Sequence, residues 1–180
     1  MGYTMNKAQH GRIKFIKKIN KDSSLFELDG KTFECHPTFL RASYDLLSSV
    51  CNGCGPGSAK FDLVPDKPFW LDFEWPCNSH DWDYFIYSTV NGKIYADKRA
   101  RNNWGAAVVQ HKFSRFWPGF IKKRLRKRAA LLPQGYFTAV KVCGNPSFFE
   151  TNKDTKEAND NVRERFAREL EHIGVNKISL

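Results

Sequence analysis

Cys77-Asn78-Ser79-His80-Asp81-Trp82-Asp83-Tyr84 decides how this chain is read, together with the upstream turn Asn52-Gly53-Cys54-Gly55-Pro56-Gly57. Pro76 stands immediately before the octet, where a helix tolerates proline in or just ahead of its first turn. A helix starting there carries Cys77, His80, Tyr84 and Tyr87 on one face, by i, i+3, i+4 and i+7 spacing. His80 titrates near neutral pH and suits removal of a proton from water. Asp81 is turned about 100° around the helix and so faces a different partner. It could bind a cation against the glycine-rich turn, where Asn52 and backbone carbonyls offer neutral oxygens of the kind calcium takes. Cys77 sits on the His80 face and Cys54 lies inside the turn, so a Cys54–Cys77 disulfide would clamp one against the other.

Working outward, residues 12–35 read as strands. Ile13, Phe15 and Ile16 form one short apolar run, and Leu25, Phe26 and Leu28 another. Asp29-Gly30 is a two-residue hairpin signal ahead of Lys31-Thr32-Phe33-Glu34-Cys35, which predicts a small antiparallel meander. Residues 36–50 predict a short helix around Phe39-Leu40 and Tyr44-Asp45-Leu46-Leu47. Residues 51–76 are loop-rich, punctuated by glycine and proline.

Beyond the octet, Asn91-Gly92 is expected to break the helix, with a second helix from about Ala96 to Gln110. Residues 134–149 predict a last short helix packing on the core. From about Lys153 to Ile173 the pattern is a charged helix with Val162, Phe166, Leu170 and Ile173 on one stripe, suited to docking or to a protein partner. The expected fold is therefore mainly α with a small N-terminal antiparallel β meander. Residues 1–45 form the meander and its connection, 46–150 the helical core, and 151–180 the charged C-terminal helix.

The 180 residues support one domain with a proper core, and the 41% hydrophobic and 14% aromatic content argues that it folds. Lys and Arg number 29 against 19 Asp and Glu, a formal charge of +10, which favours anionic partners. The lysine- and arginine-rich start has no apolar signal-peptide core, and no apolar run approaches the roughly 20 residues of a membrane span. The expectation is cytoplasmic synthesis, with release or delivery by a non-classical route left open. Five cysteines leave at least one unpaired within the chain, and Cys35, Cys51 and Cys143 read as core or free thiols.

Residues 112–128 interleave cations with Phe113, Phe116, Trp117, Phe120, Ile121 and Leu125. Three readings stand: a solvated helix face, a lipid-surface element, and a phosphate-contacting nucleic-acid element. In the second, Trp117 and Phe120 meet lipid while Lys122, Lys123 and Arg124 meet anionic headgroups. The third ranks last.

The octet and the turn together resemble the phospholipase A2 superfamily, whose members join a glycine-rich calcium loop to a helix reading Cys-x-x-His-Asp-x-x-Tyr. Every fixed position of that helix motif is present from Cys77 to Tyr84. Asn52-Gly53-Cys54 is more similar to the prokaryotic branch, and the run to about residue 150 to phage-type relatives. It adds Val64-Pro65-Asp66, then Arg128-Ala129, Tyr136, Ala139-Val140 and Gly144-Asn145-Pro146. The resemblance implies calcium-dependent hydrolysis of the sn-2 ester of glycerophospholipids at a membrane surface, with His80 activating water. It implies a calcium ion held by Asp81, Asn52, Gly53 and Gly55, and an acid on the next helix that orients His80 beside Tyr84. Counting back from Trp104 puts that acid at Arg101 or Asn102; Asp97, one turn earlier, is the expected residue and Asn102 the alternative. A non-catalytic binding protein on the same scaffold, taking lipid or protein, is the rival reading.

Overall fold

The computed structural model describes residues 7–51, 68, 71–113, 116–151 and 153–175. A short helix α1 (Lys7–His10) leads into β1 (Lys14–Asn20), β2 (Ser23–Leu28) and β3 (Lys31–Cys35). The strands form one antiparallel sheet in the order β1-β2-β3. The Asp29-Gly30 turn has φ of 52° and 75°. Two consecutive positive φ values match the twist of the flanking strands, and aspartate and glycine tolerate them best. β1 is exposed throughout, its pairing interrupted between Phe15 and Lys17 and again between Lys18 and Asn20. β2 and β3 carry the inward face, with Phe26, Leu28, Phe33 and Cys35 buried.

The remaining elements are α2 (Tyr44–Val50), α3 (Glu74–Ile86), α4 (Val90–Gln110), α5 (Gly119–Ala129), α6 (Leu132–Cys143), α7 (Asn145–Phe148), α8 (Lys153–Arg165) and α9 (Ala167–Ile173). The chain is mainly helical with its small sheet near the N-terminus, as the patterning predicts. Among the described residues no helix is long and apolar enough to cross a membrane.

Several boundaries differ from expectation: α2 starts at Tyr44 with Phe39-Leu40 in the turn before it, and residues 134–149 hold parts of two helices, α6 and α7. α3 starts at Glu74, so Pro76 is its third residue, where a missing N–H leaves no helical bond unmade. α4 starts at Val90 rather than Ala96, and Asn91-Gly92 lies inside its first turn. Thr89 caps that turn, its hydroxyl accepting from Gly92 N at 3.1 Å. A side chain at Gly92 would stand 2.8 Å from Tyr87 Cβ; the glycine serves close packing, not a break. The expected single C-terminal helix is two, α8 and α9, separated at Phe166.

The outer edge of β3 is met by side chains of α4 instead of a fourth strand. Asn103 accepts from Glu34 N at 2.8 Å and donates to Glu34 O at 2.7 Å. Gln110, two turns on, accepts from Thr32 N at 2.6 Å and donates to Thr32 O at 2.9 Å. The two amides satisfy edge groups that would otherwise seek another strand. Arg99 adds a third link, donating to Asp83 Oδ1 at 2.8 Å on α3 and to Asp22 O at 2.6 Å before β2. The core between sheet and helices is aromatic, with Phe26, Phe39, Trp75 and Trp82 buried together.

The C-terminal stripe docks on the chain's own body. Leu170 and Ile173 are buried, Val162 and Phe166 pack against the core, and Glu169 accepts from the backbone and hydroxyl of Ser43. α5 is the opposite case: of its side chains Ala129 is buried, while its lysines and arginines face outward or are half-buried.

Candidate active site

α3 and α4 pack as an antiparallel pair. Cys77 faces Trp104, His80 faces Asp97, and Tyr84 faces Lys93. The i, i+4 spacing puts His80 and Tyr84 on one face of α3, and Lys93 and Asp97 on the opposing face of α4. His80 Nε2 lies 3.0 Å from Asp97 Oδ1, and the Tyr84 hydroxyl donates to the same oxygen at 2.7 Å. Lys93 Nζ donates to Asp97 Oδ2 at 2.7 Å. His80 and Asp97 are 6% and 4% exposed, so these contacts act largely out of water.

Burial alone would raise the Asp97 carboxyl, but hydrogen bonds from His80, Lys93 and Tyr84 overcome it and hold the group below its ordinary value. An ionised carboxylate only accepts. The hydrogen between the pair therefore belongs to His80 Nε2, and in the neutral ring Nδ1 carries the lone pair. Nδ1 makes no hydrogen bond within the described residues. Burial pushes the imidazole below its usual value while Asp97 pulls the other way. Burial raises the Tyr84 phenol, with the Asp97 charge adding to it, so Tyr84 stays a donor. The ring of Tyr84 lies 4.1 Å from that of His80 and fixes its second side.

Residues late in the chain close over this group. Lys93 Nζ reaches Val140 O on α6 at 3.5 Å, and Phe148 on α7 meets the Tyr84 ring edge-on at 5.1 Å. Tyr136 packs against Trp104 and Phe73. Gly144 abuts Tyr84. Tyr136, Val140 and Gly144 thus pack on the neighbours of the His80–Asp97 pair, namely Trp104, Lys93 and Tyr84.

The structure brings His80, Asp97 and Tyr84 together. Asn102, the other candidate acid position, is exposed, and so is Arg101, which stacks on Phe137 at 5.4 Å. Counting back from Trp104 misplaces the position because it follows the wrong face of α4. Lys93 escapes the sequence pattern, although its i, i+4 spacing to Asp97 is there to be read; a helix starting at Ala96 leaves it outside. Asn52, Gly53, Cys54 and Gly55 lie outside the described residues. Cys77 is buried and accepts from Trp104 Nε1 at 3.4 Å, while Cys35 and Cys51 are free, buried thiols. Phe120, Lys123 and Arg124 are exposed, and Trp117 and Lys122 are half-buried.

Among the described residues no group of three or more His, Cys, Asp or Glu is gathered to hold a metal. Asp97 is taken by three donors and Asp83 by Arg99, both buried. Asp81 is half-buried. It lies close enough to Cys51, the residue before the glycine turn, to add to the burial that raises that thiol. A carboxylate oxygen is a hard donor of the kind calcium takes, and the other residues expected to hold the ion lie outside the described residues.

No family model, no curated protein and no solved structure matches this chain.

Proposed function

We propose that this chain is a calcium-dependent hydrolase of the phospholipase A2 type, cleaving the sn-2 ester of glycerophospholipids at a membrane surface. The observation that carries the reading is the His80 ring, held at Nε2 by an ionised Asp97 that Tyr84 also binds, with Nδ1 left as the basic nitrogen. His80 Nδ1 takes a proton from water as the water oxygen attacks the ester carbonyl carbon. The bond to the sn-2 oxygen then breaks, and the imidazolium returns its proton to that leaving oxygen, giving fatty acid and lysophospholipid. Asp97 fixes the ring tautomer and offsets the charge of the imidazolium. The chemistry that a bound calcium ion supplies is stabilisation of negative charge on the carbonyl oxygen, and Asp81 with Asn52, Gly53 and Gly55 would hold it. A Cys54–Cys77 bond would tie that turn to α3. Exposed Phe120, Lys123 and Arg124, with Trp117 and Lys122 beside them, would seat the protein on anionic lipid.

The test is fatty-acid release from mixed phospholipid vesicles by wild type and His80→Gln, with millimolar calcium and with a chelator. Release that requires both calcium and His80 is expected. Undiminished release by His80→Gln, or none by folded, oxidised wild type, overturns the proposal. The exposed basic surface of α5 also favours a second reading, phosphate contacts to nucleic acid; absence of salt-sensitive DNA or RNA binding at low ionic strength removes it.

A further inference from the structure

We infer that Lys93 is a positioning residue for the His80–Asp97 pair, a role that rests on the hydrolytic reading above. The two oxygens of Asp97 are divided between partners. Oδ1 receives His80 and Tyr84, whereas Oδ2 receives the Lys93 ammonium at 2.7 Å. Rotation of a carboxylate about its Cβ–Cγ bond lies in a broad well. A carboxylate gripped on one oxygen alone can therefore swing that oxygen out of the imidazole plane. Gripping the second oxygen from the same helix, one turn earlier, fixes the plane.

The lysine is itself constrained. It is 7% exposed, its Nζ lies 3.5 Å from Val140 O, and it sits over the Tyr84 ring at 5.4 Å. A buried ammonium is costly to desolvate, and an apolar side chain of the same length would fill the space without that cost. What the ammonium adds is direction: with Tyr84, it aims Asp97 at His80 Nε2.

The test reads the ring directly, so it does not depend on turnover. Protein labelled with 15N-histidine is compared as wild type, Lys93→Met and Lys93→Gln, with the His80 signals assigned by their loss in His80→Gln. Wild type is expected to show one neutral tautomer, hydrogen on Nε2 and none on Nδ1. Lys93→Met is expected to lose much of that tautomer, and Lys93→Gln, whose amide stops one bond short of the Lys93 ammonium, to lose part of it. An unchanged tautomer in folded Lys93→Met overturns the inference. Should Lys93→Met fail to fold, Lys93→Gln decides alone, and an unchanged tautomer in that folded variant overturns it. In the vesicle assay, kcat of Lys93→Met is expected to fall about 10- to 100-fold with KM nearly constant, the range seen for outer partners of metal ligands; an effect confined to KM also overturns it. Wild type without turnover would sink the hydrolytic reading, and the tautomer comparison would still decide whether Lys93 positions the ring.

Discussion

A Cβ built on Gly144 would stand 2.5 Å from the Tyr84 hydroxyl, the group that donates to Asp97 Oδ1 at 2.7 Å, and closer still to Val140 O. A glycine after α6 thus makes room for a hydrogen bond between α3 and α4. Gly144→Ala is expected to displace that hydroxyl and to cost about 1–3 kcal/mol, the usual range for overpacking. In a Tyr84→Phe background the same substitution should cost less, because one of the two crowded oxygens is gone, but the contact with Val140 O keeps part of the cost. Urea denaturation of the four proteins measures the coupling, and additive costs would show that Gly144 does not act through the hydroxyl.

Asp97 and Lys93 form an ion pair with side chains 6% and 7% exposed. Asp97→Asn leaves the ammonium buried without its counter-charge, and the expected destabilisation is about 3–5 kcal/mol. Placing Asp97→Asn in a Lys93→Met background should remove most of that cost, since no orphaned charge remains. Turnover should not recover in the double variant, because an amide neither offsets the imidazolium nor enforces the tautomer. A loss of activity on the order of 10³–10⁴ is expected in both, by analogy with the same change in a Ser-His-Asp triad.

The parts of this molecule that are legible in its sequence are those set by neighbours along the chain. Asp29-Gly30 specifies its hairpin because two adjacent residues supply both positive φ values. His80 and Tyr84 share a face because helical spacing puts them there. Asp97 is approachable only from the far end of its helix, and the start of α4 reads late because Asn91-Gly92 is a turn dipeptide in most contexts. Thr89 as cap and Tyr87 packed on Gly92 reverse that meaning, and only the fold brings them together. Asn103 and Gln110 carry no periodic signal: an amide on a helix gives no sign in sequence that it will complete a strand edge 69 or 78 residues away.

That edge pairing leads to a further expectation. Asn103 is buried and makes two backbone hydrogen bonds to Glu34, at 2.8 and 2.7 Å. Asn103→Ala would leave the part-buried Glu34 N–H on β3 without its partner and its carbonyl with only the Ser79 hydroxyl at 3.5 Å, an expected cost of about 1–3 kcal/mol. The Glu34 amide should then exchange with solvent far faster than in wild type, while that of Phe33, in register with Phe26 on β2, stays protected. Hydrogen exchange read residue by residue checks this. Unchanged protection at Glu34 would mean that Asn103 is not what closes the edge.

His36 sets a pH dependence separate from the candidate site. It is buried, and its pKa is lowered from 6.5 to about 3, first by burial and then by the charges of Arg99 and Arg41. Its Nδ1 accepts from Thr38 N at 3.3 Å, and a proton on that nitrogen would set two donors against each other. The folded value lies below the unfolded one, so between pH 6.5 and about 3 the unfolded chain binds a proton that the folded chain refuses. Stability contributed by His36 is therefore fully present above pH 6.5 and is lost on acidification. The slope is about 1.4 kcal/mol per pH unit within the window, or about 2–3 kcal/mol between pH 6 and pH 4. His36→Asn keeps a side-chain acceptor near Nδ1 but does not titrate, so the fall in unfolding free energy from about pH 6 to about pH 4, read by urea denaturation, should be smaller in the variant by that amount. Parallel falls in the two proteins would show that His36 is not the group being titrated.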